Sequence, residues 1–511
     1  MRALISVYDK KGISEFAKFL ISQGFKIIST GGTLDYLKKQ GLFAENISDS
    51  TGFPEILDGR VKTLHPKIYA GILSIGNNKS HLEELQDLNI EKFDLVVNNL
   101  YPFEEIANDK NSELQDVLEN IDIGGPSMIR AAAKNFNDVI VVIDKDDYSF
   151  VSELILNNLM SFEQRKKLAY KAFNYVSKYD LSISEYFRKL SNTNNDLNLM
   201  PQEIQINLKK VKDLRYGENP HQKGGLYRPN TNNSEGFISD EQLNGEEMSY
   251  CNFIDAEAAS KSVGMFEKHA VSIVKHANPC GLSYHQNQAQ AFLNALSGDP
   301  VSAFGGIVGF NSEVEEETAI LVQKFFFELI IAPGYSEKSL EILKKKKKLR
   351  ILKSVSINKK ELIIKSLSGD FLVQHQDAVI DEWDDYKIVT KNKPSDIEIS
   401  DLKFANKVCS LIKSNAIVLV KNNSIIGIGA GQPNRLSSVK IACEVAGSDS
   451  NGSVLASDAF FPFADGLKIA IESGIKSVIQ PGGSIRDDDV ISEADKAGIS
   501  MVITGKRHFL H

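Results

Sequence analysis

Across the first 190 residues, short aliphatic or β-branched runs alternate with amphipathic segments, and this rhythm constrains the fold more than any other feature of the chain. Residues 3–7 read as a strand, after which Ile13, Phe16, Ala17 and Leu20 fall on one helical face. Residues 26–29 form a second strand, which runs into Thr30-Gly31-Gly32-Thr33 and another helix; 95–98 and 139–143 are further buried strands. Such alternation predicts a mainly parallel sheet with helices on both faces. In sheets of this kind, ligands bind outside the carboxyl ends of the strands.

The polar motifs of this region are expected at those ends. Thr30 to Thr33 opens a helix, so its N–H groups and hydroxyls can hold a phosphate. R-V-K-T-L-H-P (60–66) packs Arg60, Lys62 and His65 into one loop, a natural anion clamp. N-N-L-Y-P-F (98–103) offers the amides of Asn98 and Asn99 for reading a base or carboxamide edge. I-D-I-G-G-P (121–126) precedes a helix that carries Arg130 and Lys134. Each motif taken alone also fits ordinary turn chemistry; four on one sheet argue for a site.

Residues 191–200, which contain the amide-rich stretch S-N-T-N-N-D-L-N, are expected to link a domain at 1–190 to one at 201–511. The second region holds L-R-Y-G-E-N-P-H-Q (214–222) and, at 270–281, A-V-S-I-V-K-H-A-N-P-C-G. There a β-branched strand ends at Lys275-His276, and Asn278-Pro279 is expected to force the turn. A cation and an imidazole at a strand exit suit acid–base chemistry, although a polar strand end is the plainer reading. Residues 416–428 read as a hairpin turned at Asn422-Asn423. The hairpin feeds G-I-G-A-G-Q, whose strand-turn-strand context does not suit a dinucleotide site. F-F-P-F-A-D (460–465) sets an aromatic wall beside a carboxylate, and five lysines at 344–348 read as a solvated face.

Bulk properties narrow the function classes. At 511 residues with 42% hydrophobic content, the chain can build several cores. A net charge of -8 disfavours a general nucleic-acid surface. The four cysteines, Cys251, Cys280, Cys409 and Cys443, contain no C-x-x-C pair and make neither a disulfide framework nor a zinc ribbon. No apolar run approaches the roughly 20 residues a membrane span needs, and the N-terminus opens a strand. A reduced, cytoplasmic protein with no membrane partner is expected.

Taken together and in order, R-V-K-T-L-H-P, I-D-I-G-G, A-A-A-K-N, L-R-Y-G-E-N-P-H-Q, V-K-H-A-N-P-C-G, G-I-G-A-G-Q, F-F-P-F and the terminal R-H-F resemble a bifunctional purine-biosynthesis family. That family joins a phosphoribosylaminoimidazolecarboxamide formyltransferase to an IMP cyclohydrolase, and the resemblance spans essentially the whole chain. It implies an α/β protein: a methylglyoxal-synthase-like cyclohydrolase domain, then two cytidine-deaminase-like units at about 201–360 and 361–511. It also implies 10-formyltetrahydrofolate as co-substrate, no catalytic metal, small-molecule substrates, and a homodimer with formyltransferase sites built across subunits. The sequence departs from common members at Tyr69 and Ala464.

Carried over by motif, the cyclohydrolase nucleotide positions are Tyr8, Asp9, Lys10, Thr30, Gly31, Gly32, Thr33, Arg60, Lys62, Thr63, Asn98, Asn99, Tyr101, Asp122 and Ile123, with Lys134 as catalytic lysine. In the formyltransferase, His276 is the implied proton acceptor, with Lys275 and Asn415 also catalytic. Its substrate positions are Arg215, Tyr216, Asn244, Gly305, Glu328, Arg435, Phe460, Asp465 and Arg507; folate positions are Leu436, Pro462, Ser484 and Ile485.

The chemistry matches these residue types. The acceptor amine is conjugated and weakly nucleophilic, so a base removing its proton is worth about a hundred- to ten-thousandfold. A free imidazole titrates near 6.5 and a free ammonium near 10.4, so His276 is the expected base and Lys275 the charge stabiliser. Ring closure is intramolecular and depends on orientation, with Asp122 orienting the carboxamide and Lys134 protonating the departing hydroxyl. A zinc nucleobase deaminase is the rival enzyme reading, but Cys280 is followed by Gly281, Leu282 and Ser283, without the second thiolate. A ligand-sensing module is the non-catalytic rival; it needs the phosphate clamp but no catalytic lysine.

Overall fold

All four residues of Leu95–Asn98 and three of the four of Lys26–Ser29 are buried, and strands covered on both faces belong in a helix-flanked sheet. The computed structural model describes all residues except 58, 192–199, 231–235, 268, 355–361 and 378–382. The chain divides into two units, Met1–Pro201 and Gln202–His511. Nearly all of the stretch expected as a linker, 192–199, lies outside the described residues.

The first unit holds one five-stranded sheet: β1 (Arg2–Ser6), β2 (Lys26–Ser29), β3 (Glu45–Asn46), β4 (Leu95–Asn98) and β5 (Ile140–Val142), in the order β3-β2-β1-β4-β5. Every pairing is parallel. The helix Ile13–Ser22 buries Ile13, Phe16, Ala17 and Leu20, as the 3.6-residue spacing predicts. The two-residue β3 was not legible, being too short to show a period. Strand order reverses between β1 and β4, so the crevice at their carboxyl ends is the topological switch point.

In the second unit, β6 (Leu208–Leu214) pairs with β7 (Gly224–Pro229), and later β14 (Leu362–Leu367) pairs with β15 (Asp370–His375). The rest forms a twelve-stranded sheet. Its members are β8 (Ile238–Asn244), β9 (Ala270–Lys275), β10 (Asn278–Tyr284), β11 (Ile307–Phe310), β12 (Leu329–Ala332), β13 (Arg350–Ser354), β16 (Lys387–Ile388), β17 (Ile417–Lys421), β18 (Ser424–Gly429), β19 (Val454–Ser457), β20 (Ser477–Gln480) and β21 (Ser500–Ile503). From its centre the order runs β10-β9-β11-β12-β13 one way and β18-β17-β19-β20-β21 the other, with β10 and β18 antiparallel. Each arm is a hairpin, one strand antiparallel to it, then two strands parallel to that one. The unit is therefore an internal duplication about an axis normal to the sheet between β10 and β18.

Glycines confirm the correspondence. A Cβ on Gly281, the fourth residue of β10, would lie 1.9 Å from the Ala295 carbonyl oxygen of the helix Gln288–Gly298. A Cβ on Gly427, the fourth of β18, would lie 2.2 Å from that of Ala442 in Arg435–Ala446. The first two glycines of G-I-G-A-G-Q, Gly427 and Gly429, thus let a helix pack on the sheet.

Candidate active sites

A cleft of about 790 Å³ opens at the switch point of the first unit, lined by Ser6, Tyr8 and Lys10 at and beyond the end of β1, Thr30, Gly32 and Thr33 after β2, and Asn98, Asn99 and Tyr101 at and beyond the end of β4. Arg60, Lys62, Thr63 and Asp122 to Gly125 complete it. The two glycines of I-D-I-G-G-P are sterically required. A Cβ on Gly124 would lie 2.5 Å from Thr63 Oγ1, and one on Gly125 would lie 2.4 Å from Asp122 Oδ2. Asp122 Oδ1 accepts from the Gly125 N–H at 2.8 Å. Burial pushes the Asp122 carboxyl above its usual range, against the pull of the Gly125 N–H and Lys62. Asn98 is 2% exposed and its Oδ1 has no hydrogen-bond partner among the described residues. A buried amide oxygen in that state is one a ligand donor would satisfy.

Several expected ligand contacts have other work. Asn99 Oδ1 accepts from the Tyr8 and Asp9 N–H groups at 2.5 and 3.1 Å, so it shapes the loop after β1. Thr33 Oγ1 both accepts from the Val7 N–H and donates to its carbonyl. Asp9 does not line the cleft; its carboxylate meets Lys145 at 2.8 Å, which holds its pKa below the usual value. Gly31 also stands outside the lining, beside Lys62. Arg60 pairs with Glu119, which shares the cleft. His65 is no part of an anion clamp: its Nδ1 accepts from the Lys67 N–H and caps the helix Pro66–Leu73.

Lys134 needs the largest correction. It ends the helix Gly124–Lys134, ten residues beyond the end that faces the cleft, about 15 Å along the axis. It lines a separate hollow of about 770 Å³ with Tyr69, Arg130, Lys166, Tyr170 and Phe173. It is absent from the lining of the cleft, whereas Lys62 lines it. Sequence reading also missed Tyr175 and Tyr179, on the helix Phe162–Ser191. Their hydroxyls accept from the N–H groups of Leu100 and Asp122 at 3.1 and 2.7 Å, propping both loops of the cleft. Nothing in a tyrosine on a long amphipathic helix signals that role.

Apart from Arg215 and Tyr216, which follow β6 outside it, strand directions bring the expected positions of the second unit to one edge of the large sheet. Asn244 ends β8; Lys275 ends β9; Gly305 and Glu328 precede β11 and β12; Asn415 precedes β17; Phe460, Ser484 and Arg507 follow β19, β20 and β21. They form two clusters. At about 4.8 Å per strand, β9 stands three to six steps, about 14–29 Å, from the strands of the second cluster.

The first cluster surrounds the β9–β10 turn. Lys275 pairs with Asn278, so the turn residues are His276 and Ala277, both left-handed with φ of 53° and 59°. This corrects the expectation that Asn278-Pro279 makes the turn: Pro279 lies in β10 opposite Val274, beside a register shift. A tight two-residue turn of this hand needs positive φ at both positions, which proline cannot adopt. Left-handed φ costs a non-glycine residue about 1–2 kcal/mol. His276 is exposed on this turn. Lys275 Nζ donates to the carbonyls of Phe304 and Gly305 at 3.0 and 3.2 Å, and a Cβ on Gly305 (φ 69°) would come within 3.2 Å of it. Asn244 donates to the carbonyls of Lys346 and Leu349, so its amide nitrogen is structural. Glu328 accepts from Asn252 Nδ2 at 3.3 Å, and Arg215 lies over the Tyr216 ring at 4.8 Å.

In the second cluster Arg435 is buried and committed: it pairs with Asp458 and donates to Ser457 Oγ and to Asn415 Oδ1, both at 2.8 Å. Arg435 and Asn415 therefore hold each other. The Ser414–Asn415 peptide is cis. Phe461 is core, whereas Phe460, Pro462, Asp465 and Ile485 are exposed at the edge. The tail is pinned, with the His508 N–H on the Asp458 carbonyl and Ser414 N–H on that of Leu510; Arg507 stacks on Phe509 at 4.5 Å. Cys280 is no metal thiolate: burial pushes its thiol up to about 12, and Sγ donates to the Ile273 carbonyl.

A parallel α/β unit with a polar cleft at its switch point, followed by a duplicated unit with Lys-His on a sheet edge, defines a two-site enzyme. A family model described as AICARFT/IMPCHase bienzyme matches residues 132–445, and one described as MGS-like domain matches 12–127. A protein of Acetivibrio thermocellus named bifunctional purine biosynthesis protein PurH is 48% identical, covering 100% of this chain and 99% of its own length. One of that name from Dictyostelium discoideum is 45% identical over 100% of both. A solved structure titled "Crystal structure of ForH" is 38% identical over 37% of this chain and 96% of its own, with a TM-score of 0.34. The chain belongs to the AICARFT/IMPCHase bienzyme family and is a bifunctional enzyme of purine biosynthesis, with formyltransferase and IMP cyclohydrolase activities. The methylglyoxal-synthase-like N-terminal fold is borne out by the MGS-like match.

Proposed function

We propose that the cleft of the first unit closes the purine ring and that the β9–β10 edge of the second carries formyl transfer from 10-formyltetrahydrofolate. The observation that carries the second assignment is an exposed imidazole held in a left-handed turn beside Lys275. His276 takes the proton of the ribotide's 5-amino group as that nitrogen attacks the formyl carbon. Lys275, two of its donors committed to carbonyls, turns its remaining N–H toward the developing oxyanion or the departing folate nitrogen. The gap of about 14–29 Å between the two edge clusters supports a homodimer in which each site draws on both copies. The helix, hairpin, helix and strand order of each half supports its cytidine-deaminase-like description.

In the cleft, Asp122 accepts an N–H of the carboxamide and orients its nitrogen toward the formyl carbon. Lys62 replaces Lys134 as the proton donor to the departing hydroxyl, because it alone of the two lines the cleft. The unpartnered Asn98 Oδ1 supplies an acceptor to the bound nucleotide. The test supplies the aminoimidazole carboxamide ribotide and formyl donor and follows IMP. Lys62→Ala is expected to accumulate the formylated ribotide; prompt IMP from that variant removes Lys62 from the mechanism.

A further inference from the structure

The duplication gives the β9–β10 turn a counterpart at the opposite edge of the sheet, since β10 and β18 run antiparallel. In the second repeat the β17–β18 turn is Asn422-Asn423, with φ of 54° and 53°; asparagine is among the residues that accept this conformation most readily. Beneath it lies Asp401, sixth residue of the helix Asp396–Cys409, which accepts from the Asn422 and Asn423 N–H groups at 3.0 and 2.6 Å. In the first repeat the sixth residue of the helix Tyr250–Val263 is Asp255, and its Oδ1 accepts from the Ala277 N–H at 2.6 Å. Both helices open with a serine cap and a capping box. Lysine precedes both turns, Lys275 donating to the loop before β11 and Lys421 to the Asn451 carbonyl before β19. The scaffold of helix carboxylate, lysine and left-handed pair is thus shared. What differs is that the first repeat carries histidine and alanine where the second has two asparagines.

We propose that Asp255 is a positioning residue for formyl transfer, clamping the Ala277 N–H so that the turn stays left-handed and His276 is held at the sheet edge. This rests on the reading of His276 as the base. Asp255 is half-buried, and its pKa is raised first by that burial, against the pull of the Ala277 N–H, His276 and Lys275. Alanine at position 277 cannot hold this conformation as asparagine can, so the clamp matters more here than in the second repeat.

Four variants of the full chain test this, measuring kcat and KM for the ribotide in formyl transfer together with Tm. Asp255→Ala is expected to lower kcat at least tenfold with KM within twofold. Asp255→Asn keeps the acceptor and should hold kcat within threefold. Asp401→Ala, the matched clamp without the imidazole, should lower Tm comparably and leave kcat within twofold. His276→Ala separates the two claims: if it retains formyl transfer, the reading of His276 fails. If it is inactive while Asp255→Ala keeps wild-type kcat, the clamp fails. A fall of more than tenfold in Asp255→Asn also overturns the clamp, since charge and not the hydrogen bond would then be at work; this arm stands even where Asp255→Ala does not fold.

Discussion

Gly125→Ala is a one-carbon change whose consequence follows from the geometry of the cleft. The added Cβ would meet Asp122 Oδ2 at 2.4 Å and Leu100 Cδ2 at 2.6 Å, where ordinary contact begins at 3.4 Å. Asp122 cannot easily yield, since its backbone N–H is bonded to Tyr179 at 2.7 Å and its Oδ1 to the Gly125 N–H at 2.8 Å. Relief therefore needs about 1 Å of displacement, either of the carboxylate or of the first turn of the Gly124–Lys134 helix. Misplacement on that scale costs an orientation-dependent reaction about a hundredfold, and overpacking costs about 1–3 kcal/mol of stability. The assay supplies the formylated ribotide directly and follows IMP, with formyl transfer by the same chain as control. A roughly hundredfold loss of ring closure with formyl transfer intact is expected. Ring closure within threefold of wild type would refute the placing of Asp122 in that chemistry.

Three further outcomes follow. Asp458→Ala leaves Arg435 buried without its partner, their side chains being 0% and 7% exposed; a loss of about 3–5 kcal/mol is expected, read as a Tm lower by roughly 10 °C, and a loss under 1 kcal/mol would contradict the pairing. Lys62→Ala should slow ring closure of the formylated ribotide more than Lys134→Ala does, and Lys134→Ala should leave nucleotide Kd within twofold; the reverse order would restore Lys134 to the cleft. Native alkylation at pH 8 followed by mass spectrometry should label exposed Cys251 and spare Cys280. The Cys280 thiol, raised to about 12 by burial, stays protonated far below that pH and its labelling should rise only as pH climbs toward it.

The parallel sheet was legible because its strands are short, aliphatic and separated by helices of clear period: residues 26–29 and 95–98 were placed to the residue. So was the Asn422-Asn423 turn, where residue type and backbone conformation agree. The neighbouring hairpin was misread for the converse reason. His276 and Ala277 do not advertise a left-handed turn, and Asn278-Pro279 does, although Pro279 sits in a strand. Motif matching found which segments reach the cleft but not what each side chain does there. Asn99, Thr33 and Asn244 spend their polar atoms on backbone groups, a choice made by tertiary contacts. Lys134 shows the limit most plainly: being near a site in sequence, on a helix that starts at that site, puts a residue about 15 Å away at the other end.

The central claim is that two chemistries reside in two separate units of this chain, the first step depending on His276. The direct measurement gives His276→Ala each substrate in turn and follows IMP. With the aminoimidazole carboxamide ribotide and 10-formyltetrahydrofolate, IMP formation is expected to fall at least a hundredfold. With the formylated ribotide, IMP should form at the wild-type rate. Near-normal IMP from the unformylated ribotide, or loss of ring closure alongside formyl transfer, would contradict the account.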